Sequence, residues 1–345
     1  MKKRNKVVSE QLQEEASVDK INSTKNDVMW KQIEECGIHL VGQESDVKSD
    51  FKTGILPLDL ILTNTGGFRS GCAHVYGHEG VGKSSLAMSV IQSFARRNGN
   101  KNKCLYIDVE HGVNDEFCKI FNLIPNVDFY LAQPDHSEAA LNAIDIFLRN
   151  VENSVVVLDS VAALMANAEW SSKVEDKMYA PTSLHLSNIA RKAPRLCTKS
   201  NNLLIYLNQI RDNLSGYGSP TRVPGGRAIK FLTSWQIEMK KKEALKQGEN
   251  QVGQKVEFKT VKNRFTKPYQ KAMSHLIYGS GFHAGYDLIE QTQAFGLKNV
   301  INKKGAWIKF YNGEMIQGLP KAADYIMDNI EIRQEIENKI LEAYS

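Results

Sequence analysis

The stretch YGHEGVGKSS, residues 76–85, contains two glycines with four residues between them, followed directly by a lysine and a serine. Gly77, Gly82, Lys83 and Ser84 thus meet the pattern G-x-x-x-x-G-K-S. The apolar run AHVY precedes this stretch and the helical run SSLAMSVIQSFARR follows it, which is the context that a P-loop requires. A bare glycine-rich turn is the alternative, and the flanking elements disfavour it.

A P-loop binds phosphate because its glycines let backbone N–H groups wrap the oxygens and because the helix that follows adds its dipole. Lys83 is expected to meet the β- and γ-phosphates, and the Ser84 hydroxyl is expected to ligate Mg²⁺. The residues expected around the phosphates are Gly77, His78, Glu79, Gly80, Val81, Gly82, Lys83, Ser84 and Ser85.

Two further apolar runs end in carboxylates that suit the same chemistry. The run VVVLDS, residues 155–160, places Asp159 where a carboxylate holds Mg²⁺ through water, although such a residue is often only a helix cap. The run CLYIDVEHG, residues 104–112, carries Glu110, which is well placed to polarise an attacking water. Asp108 or His111 could serve instead, and the residues alone leave that choice open.

Composition sets wider limits on the class of protein. The formal net charge is +5, from 44 basic and 39 acidic residues, which permits a polyanionic partner without requiring one. No apolar run approaches the roughly 18–20 residues of a membrane helix, and the basic N-terminus lacks the apolar core of a secretory signal. The five cysteines are scattered and form no CxxC pair, which favours reduced thiols in a cytoplasmic protein.

The middle of the chain repeats one pattern that predicts an α/β fold. Short apolar runs at 73–76, 104–109, 155–160 and 203–208 are each followed by a helical pattern, which is typical of a parallel sheet covered on both faces. Two more strand-like runs, at 234–239 and 255–263, have no helix between them and predict an antiparallel extension at one edge of the sheet.

Three regions are expected along the chain. Residues 1–50 are predicted to form an N-terminal arm and oligomerisation segment, although the polar residues 1–28 suit a loose tail equally well. Residues 51–285 are predicted to form the core, and residues 286–345 a small C-terminal domain with a hairpin in KKGAWIKFYNGEMIQG, residues 303–318.

Several separate motifs then occur in one order: YGHEGVGKSS, YIDVEHG, QPDHSEAAL, VVVLDSVAAL, LLIYLNQIR, PGGRAIKF and VKNRF. In these motifs and their spacing the chain resembles the bacterial RecA recombinases, from about Gln32 into the helical tail. The resemblance implies a RecA-type P-loop ATPase core with a mostly parallel central sheet, an N-terminal helical arm and a small α+β C-terminal domain. It also leads us to expect that the acidic C-terminal tail of many members is absent here.

The resemblance assigns roles around an ATP molecule. It implies that Glu110 is the catalytic glutamate and that Gln209 senses the γ-phosphate and informs the DNA-binding loop after it. Lys262 and Arg264 fall where the family places two lysines that reach the γ-phosphate held by the neighbouring protomer. The arginine keeps the charge but changes the geometry.

The same comparison extends to the adenine base. Phe117 aligns with an aromatic residue that stacks on adenine, and Tyr278 lies where another family residue contacts the base. Asn114 stands where members commonly have an aspartate facing the adenine amino group. An amide oxygen can still accept that hydrogen bond, so binding is expected, with the preference for ATP over GTP left open.

Two segments are implied to bind DNA, at 169–180 and 210–226, and the second is expected to be mobile because it is rich in glycine, serine and proline. Arg211, Arg222 and Arg227 are expected to contact phosphates, and Tyr217 to wedge against a base or another side chain. Leu184 replaces a family arginine, so one phosphate contact is expected to be missing. The remaining positions implied to touch DNA are Met178, Tyr179, Ser187, Arg191, Gly225 and Gly226 for the primary strand and Lys240 and Lys241 for the second strand.

Together these features predict an ATP-dependent DNA recombinase that needs Mg²⁺. It would form a head-to-tail helical filament on single-stranded DNA and exchange strands with homologous double-stranded DNA. One alternative is another motor with a RecA core, such as a hexameric helicase or a packaging ATPase. A second alternative is a protein that coats single-stranded DNA and binds ATP without hydrolysing it.

Overall fold

The computed structural model describes residues 51–98, 103–171, 182–212, 221–222 and 226–344. The predicted N-terminal arm, residues 1–50, lies outside the described residues. So do four of the residues expected at DNA, namely Met178, Tyr179, Tyr217 and Gly225.

A nine-stranded sheet forms the centre of the described part, and the first five strands from one edge run parallel in the order β3-β2-β4-β5-β1. They are β1 (Gly71–Gly77), β2 (Cys104–Asp108), β3 (Tyr130–Ala132), β4 (Val155–Asp159) and β5 (Leu203–Gln209). Four of them confirm the apolar runs predicted as strands. The fifth, β3, has only three residues and none is buried, so it carries no such apolar signal.

The remaining strands widen the sheet beyond β1. They are β8 (Trp235–Gln247), β9 (Asn250–Asn263), β10 (Lys271–Ile277) and β11 (Gly281–Phe282). β8 runs parallel to β1, and β9, β10 and β11 then alternate in direction, which confirms the predicted antiparallel extension. β8 and β9 are longer than the apolar runs that predicted them. Their additional residues are polar and exposed, so the apolar pattern did not include them. A separate pair, β6 (Arg211–Asp212) and β7 (Thr221–Arg222), follows β5.

Helices cover both faces of the sheet, as continuously apolar parallel strands require. The helices of this region are α1 (Leu56–Leu62), α2 (Lys83–Asn98), α3 (Asp115–Ile120), α4 (Ser137–Asn150), α5 (Asn167–Trp170), α6 (Thr182–Lys199) and α7 (Gly226–Leu232). Buried residues of α2 pack on one face of β1, β4 and β5. Buried residues of α4 and α6 pack on the other face. No helix in the described part of the chain is long and apolar enough to span a membrane.

The C-terminal region adds α8 (Ala284–Ala294), β12 (Ile301–Lys304), β13 (Trp307–Phe310), β14 (Met315–Gln317), α9 (Leu319–Asp328) and α10 (Ile330–Tyr344). The expected hairpin at 303–318 is instead a three-stranded antiparallel sheet, because β12 begins before that stretch and pairs with β13. These elements share a core that also includes Leu60 of α1.

Candidate nucleotide site and DNA-binding elements

The predicted phosphate and carboxylate residues meet at the edge where the parallel strands end. Gly77 at the end of β1 lies opposite Gln209 of β5, and Asp108 of β2 lies opposite Asp159 of β4. Because parallel strands present their carboxyl ends on one side, residues distant in sequence converge there. The structure thus brings together Gly77, Lys83, Ser84, Glu110 and Asp159 as the sequence predicts.

The glycines of the P-loop are required by close packing and by backbone conformation. A Cβ on Gly77 would lie 2.5 Å from the Met239 carbonyl oxygen of β8, so no larger residue fits there. Gly82 has φ +96°, and a Cβ on it would lie 2.6 Å from Leu276 Cδ2. Only glycine adopts such a φ without strain, which explains this position of the motif.

Lys83 begins α2 and folds back over the loop. Its ammonium donates to the carbonyl oxygens of Gly77 at 3.2 Å and His78 at 2.9 Å. Burial lowers the pKa of Lys83, while the charges of Asp159, Glu110 and Glu79 act in the opposite direction. The ammonium is therefore held where the loop turns, as a cation that phosphates would meet.

Ser84 and Asp159 form the part of the site that suits a metal ion. Ser84 Oγ donates to Asp159 Oδ2 at 2.6 Å, and Tyr106 Oη donates to the same oxygen at 2.6 Å. Burial raises the pKa of Asp159, and the hydrogen bonds from Ser84 and Tyr106 oppose that rise. Mg²⁺ prefers oxygen ligands and usually takes only one or two of them from the protein. A set of two protein oxygens fits that role, and no cluster of three His, Cys, Asp or Glu residues suited to a metal occurs among the described residues.

Glu110 is held by two side chains, one at the end of β5 and one just after β4. Gln209 Nε2 donates to Glu110 Oε1 at 2.9 Å, and Ser160 Oγ donates to the same oxygen. Glu110 also lines a cavity of about 180 Å³ at the end of the sheet. The lining residues of that cavity are Ser84, Asp108, Glu110, Gly112, Val113, Phe117 and Asp159. A larger cavity of about 560 Å³ lies between α2 and α10 and includes no P-loop residue, so size alone does not identify the nucleotide site.

Asp108, the alternative general base, already accepts two hydrogen bonds within the protein. Its Oδ2 accepts from the Val113 N–H at 2.9 Å and from Gln133 Nε2 at 2.9 Å. The side chain is also buried at 1% exposure. These contacts hold the loop beside the cavity and favour Glu110 as the residue that is open to water. His111, the other alternative, is exposed and has φ +54°.

The residues expected at the adenine base lie on two elements, α3 with its N-cap and the end of β10. Asn114 Oδ1 accepts the Phe117 N–H at 2.8 Å and so caps α3, while the Phe117 ring packs edge-on against Phe121 with centroids 5.4 Å apart. Tyr278 is half exposed at the end of β10 and bonds with Gln254.

Gln254 was not predicted from the sequence. Its Nε2 donates to the Gly80 carbonyl oxygen at 2.8 Å, and its Oε1 accepts from Tyr278 Oη at 3.4 Å. It thereby ties the crest of the P-loop to the residue expected at the base. A glutamine within a strand of alternating polarity gives no local signal of such a role.

Lys262 and Arg264 are the predicted ATP-site residues that the structure does not bring to the P-loop. Lys262 Nζ donates to the Phe231 carbonyl oxygen at 2.8 Å, and Arg264 Nη2 donates to the same oxygen at 3.4 Å. Phe231 lies at the end of α7, just before β8 begins. Burial and the nearby Arg264 charge lower the pKa of Lys262.

The second expected DNA segment begins directly after Gln209. In its described residues, Arg211 of β6 lies opposite Arg222 of β7, which places the backbones of two predicted phosphate ligands side by side. Gly226 and Arg227 begin α7, where the segment ends. The residues between these elements, at 213–220 and 223–225, lie outside the described part. The predicted mobility of the segment concerns these residues and stays a prediction.

The other basic residues expected at DNA lie on a helix and a strand. On α6, Arg191 Nη2 donates to Asn188 Oδ1 at 2.6 Å and its Nε donates to the Ser187 carbonyl oxygen at 3.3 Å. On β8, Lys240 pairs with Glu238 at 3.0 Å and Lys241 is exposed. Leu184 is 59% exposed near the start of α6.

Glu138 of α4 is a further residue that the sequence did not single out. Its Oε2 accepts the Asn167 N–H at 2.9 Å, and its Oε1 lies 3.6 Å from His185 Nδ1. Asn167 and His185 stand on either side of the first expected DNA segment, whose residues 172–181 lie outside the described part. Glu138 therefore bonds to one flank of that segment and lies close to the other.

Comparison with known proteins agrees with this architecture. The family model for the RecA N-terminal domain matches residues 21–283, and that for the RecA C-terminal domain matches residues 296–345. Protein RecA of Halalkalibacterium halodurans is 32% identical over 317 residues, which cover 91% of this chain and 88% of the relative. Protein RecA of Staphylococcus aureus is 36% identical over 299 residues, which cover 85% of this chain and 83% of the relative.

A solved structure shows the same fold at greater distance. The crystal structure of the RadB recombinase aligns with a TM-score of 0.50 at 20% identity, covering 67% of this chain and 98% of that one. The resemblance inferred from the motifs is confirmed. With a nucleotide-site geometry of the P-loop kind and family matches at both ends of the described region, this chain belongs to the RecA family.

Proposed function

We propose that this chain, an ATP-dependent recombinase of the RecA family, hydrolyses ATP when it is bound to single-stranded DNA. It forms a head-to-tail helical filament on that DNA and exchanges strands with homologous double-stranded DNA. ATP binds with Mg²⁺ at the carboxyl end of the sheet. The observation that carries the proposal is that one residue, Gln209, contacts Glu110 and directly precedes the segment with Arg211 and Arg222.

The phosphates would be held by the P-loop and by Lys83. Backbone N–H groups at the start of α2 face the loop, and the helix dipole favours negative charge there. The buried Lys83 ammonium adds a full positive charge to the β- and γ-phosphates. Ser84 and Asp159 would hold Mg²⁺, which neutralises charge on the phosphate oxygens when it is bound.

Glu110 would act as the general base for hydrolysis. A carboxylate in this position accepts a proton from the water that attacks the γ-phosphate. The hydrogen bonds from Gln209 and Ser160 both reach Oε1, which leaves Oε2 available to the water. Asp108 instead accepts hydrogen bonds from the Val113 N–H and the Gln133 side chain, which hold the segment after β2 in place.

The energy of ATP would be used to switch affinity for DNA. ATP binding stabilises an extended state that holds DNA tightly, and hydrolysis releases it. A ligand shifts such an equilibrium only by its differential affinity for the two states. Gln209 supplies the differential contact because its amide meets the nucleotide site while its peptide leads into the DNA segment.

The active site would be shared between neighbouring protomers. Lys262 and Arg264 point to the Phe231 carbonyl, away from the P-loop of their own chain. In a head-to-tail assembly one protomer presents its P-loop to a different surface of the next. We assign Lys262 and Arg264 to the ATP bound by that neighbour.

The DNA contacts would be made mainly to the backbone. Arg211, Arg222 and Arg227 would neutralise phosphates, as would Arg191 on α6. Lys240 and Lys241 on β8 would meet the second strand. Pairing itself needs no covalent chemistry from the protein because Watson–Crick hydrogen bonds read the sequence. The remaining proposed contacts with the primary strand are Met178, Tyr179, Ser187, Tyr217, Gly225 and Gly226.

Neither alternative is favoured. The RecA C-terminal domain match at residues 296–345 argues for a recombinase over a hexameric helicase or packaging ATPase. The contacts that Gln209 and Ser160 make with Glu110 argue against a coat protein that does not hydrolyse ATP.

An ATPase assay with and without single-stranded DNA, joined to electron microscopy, tests the proposal. We expect DNA to stimulate hydrolysis and the protein to form helical filaments when ATP is present. Rings in place of filaments would support the helicase-like alternative. Filaments without any hydrolysis would support the coat-protein alternative.

A further inference from the structure

Asn208 and His74 are diagonal neighbours on adjacent strands, just behind the candidate site. In the β1–β5 register Asn208 lies opposite Tyr76, and Gln209 lies opposite Gly77. Both side chains are buried, with 0% exposure for Asn208 and 4% for His74. Their nearest nitrogens, Asn208 Nδ2 and His74 Nε2, are 3.3 Å apart. The other residues of β1 and β5 that are buried on this part of the sheet are mostly apolar, so this polar pair stands out directly behind the site.

The orientation of the Asn208 amide is set by the residue after it. The Gln209 N–H donates to Asn208 Oδ1 at 2.9 Å. Because a backbone N–H can only donate, the amide oxygen must face Gln209, and the NH₂ group then faces His74. His74 Nε2 must therefore be the acceptor, which places the ring proton on Nδ1.

The state of the His74 ring agrees with this orientation. Burial lowers the pKa of His74 to about 4, so the ring is neutral at physiological pH and keeps one acceptor nitrogen. Nδ1 is buried and has no hydrogen-bond partner among the described residues. A buried N–H without a partner is unfavourable. The protein thus tolerates an unsatisfied group at Nδ1 while it presents Nε2 to Asn208.

These contacts continue to the candidate catalytic carboxylate. Gln209 Nε2 donates to Glu110 Oε1 at 2.9 Å, and the next peptide is held because the Ile210 N–H donates to the Gly77 carbonyl oxygen at 3.2 Å. The bond to Asn208 Oδ1 fixes the main-chain N–H of Gln209 and so the starting point of its side chain. His74, Asn208, Gln209 and Glu110 form one hydrogen-bonded series.

We propose that Asn208 and His74 are positioning residues for Gln209, holding its main chain so that its amide stays on Glu110 while the following segment binds DNA. This inference rests on the proposed function, because it concerns the response of ATP hydrolysis to DNA. The bond to Asn208 Oδ1 holds the Gln209 N–H, and the Ile210 bond to Gly77 holds the next peptide, directly before β6 begins. Loss of the anchor would therefore lower the DNA-stimulated kcat and leave the affinity for ATP unchanged.

The test compares variants that differ in the hydrogen bond at Asn208. His74→Leu removes the acceptor, whereas His74→Gln keeps one in its amide oxygen. Tyr76→Phe is the matched control, because Tyr76 lies two residues along the same strand with its ring 5.1 Å from that of His74. It removes a polar atom that takes no part in the series.

We expect His74→Leu to lower the DNA-stimulated kcat by about tenfold, since small displacements of catalytic groups reduce rates steeply. The KM for ATP should stay within about twofold, because every group that binds the nucleotide itself is still present. His74→Gln should recover kcat to within about threefold of the parent. Equal turnover in His74→Leu and Tyr76→Phe would overturn the proposal, as would equal impairment of His74→Leu and His74→Gln.

Two further measurements keep the test decisive. If His74→Leu fails to fold, His74→Asn replaces it, because the shorter amide cannot reach Asn208, and the same loss of kcat is expected. Nitrogen-15 NMR of the parent should show His74 protonated on Nδ1, and a proton on Nε2 would overturn the proposal. If single-stranded DNA does not stimulate the parent, the proposed function falls and this inference with it. If the parent is stimulated and His74→Leu is stimulated equally, only this inference fails.

Discussion

Lys83 and Lys262 direct their ammonium groups to opposite ends of the central sheet. Lys83 bonds to the carbonyls of Gly77 and His78, where β1 ends, and Lys262 bonds to the carbonyl of Phe231, before β8 begins. Gly77 is level with Met239, and Lys262 pairs three positions earlier on β8. That offset is about 10 Å along the strands, with two strand spacings of about 4.8 Å added across the sheet. This offset agrees with the proposal that Lys262 serves the ATP held by a neighbouring protomer.

Replacing Lys83 tests the phosphate site. Lys83→Ala should abolish ATP-dependent filament formation and strand exchange, because the β- and γ-phosphates lose their main positive charge. Lys52→Ala is a matched control, since Lys52 also donates to two loop carbonyls, those of Thr65 and Gly66. Nucleotide binding measured by fluorescence should be lost in the first variant and kept in the second. Normal strand exchange by Lys83→Ala would show that the site is wrongly assigned.

Replacing Glu110 separates chemistry from binding. Glu110→Gln should still bind ATP and DNA but hydrolyse ATP roughly 10²–10⁴-fold more slowly, the usual effect of losing a general base. Held in the ATP state, it should also release DNA more slowly than the parent. Asp108→Asn is the comparison, because Asp108 accepts two hydrogen bonds from the adjacent loop and should affect nucleotide affinity first. Unchanged turnover in Glu110→Gln would move the base to another residue.

The salt dependence of DNA binding tests the second DNA segment. Arg211→Ala should weaken binding to all single-stranded sequences and reduce the slope of log K against log salt by about 0.7, the effect of neutralising one phosphate fewer. Lys339→Ala on α10, where the cation already pairs with Glu335 and Glu342, should leave the slope unchanged. A weakening limited to particular base sequences would contradict a backbone contact by Arg211.

Asp59 gives the protein a measurable pH dependence of stability. Asp59 is 5% exposed, and its burial raises its pKa to about 6. The folded state therefore binds this proton more readily than the unfolded chain, so stability falls as pH rises from about 4 to 6. Above that window the ionised group costs about 3 kcal/mol.

Asp59→Asn should remove this cost and still accept the Thr53 N–H, which Asp59 Oδ1 accepts at 2.8 Å. Denaturant unfolding should find the variant more stable than the parent by roughly 2–3 kcal/mol at pH 7.5 and similar to it near pH 4. Asp128→Asn is the control, because Asp128 likewise accepts a backbone N–H, from Ile124, but nearer the surface. A difference that does not vary with pH would contradict the role of burial.

Sequence patterns predicted the features that depend on residues within one segment, such as the P-loop and the apolar strands. The P-loop and Asp159 each follow an apolar run that was predicted to be a parallel strand. Because parallel strands end at the same edge of a sheet, the two were expected to lie close together. Gln254 and Asn208 act through contacts with other strands, and neither their spacing nor their type signals this. The small β3 escaped prediction because its residues are not buried. The role proposed for Lys262 and Arg264 requires a second protomer, so contacts within a single chain do not reveal it.

The measurement that most directly tests a shared active site is the ATPase activity of a mixture of two inactive variants. Glu110→Gln lacks the proposed base beside the P-loop, and Lys262→Ala lacks the cation proposed to reach the ATP of the neighbouring protomer. Each alone should show little DNA-stimulated hydrolysis. In a random equal mixture, roughly a quarter of the interfaces would join an intact face from each variant.

Electron microscopy and labelled subunits should first establish that the two variants enter the same filaments. We then expect DNA-stimulated ATPase activity to return to roughly a quarter of the parent level. Mixtures of the parent protein with either variant show how ATPase activity depends on the fraction of intact interfaces. Mixed filaments that form normally and hydrolyse no more ATP than each variant alone would contradict the assignment of Lys262 to the ATP of a neighbouring protomer.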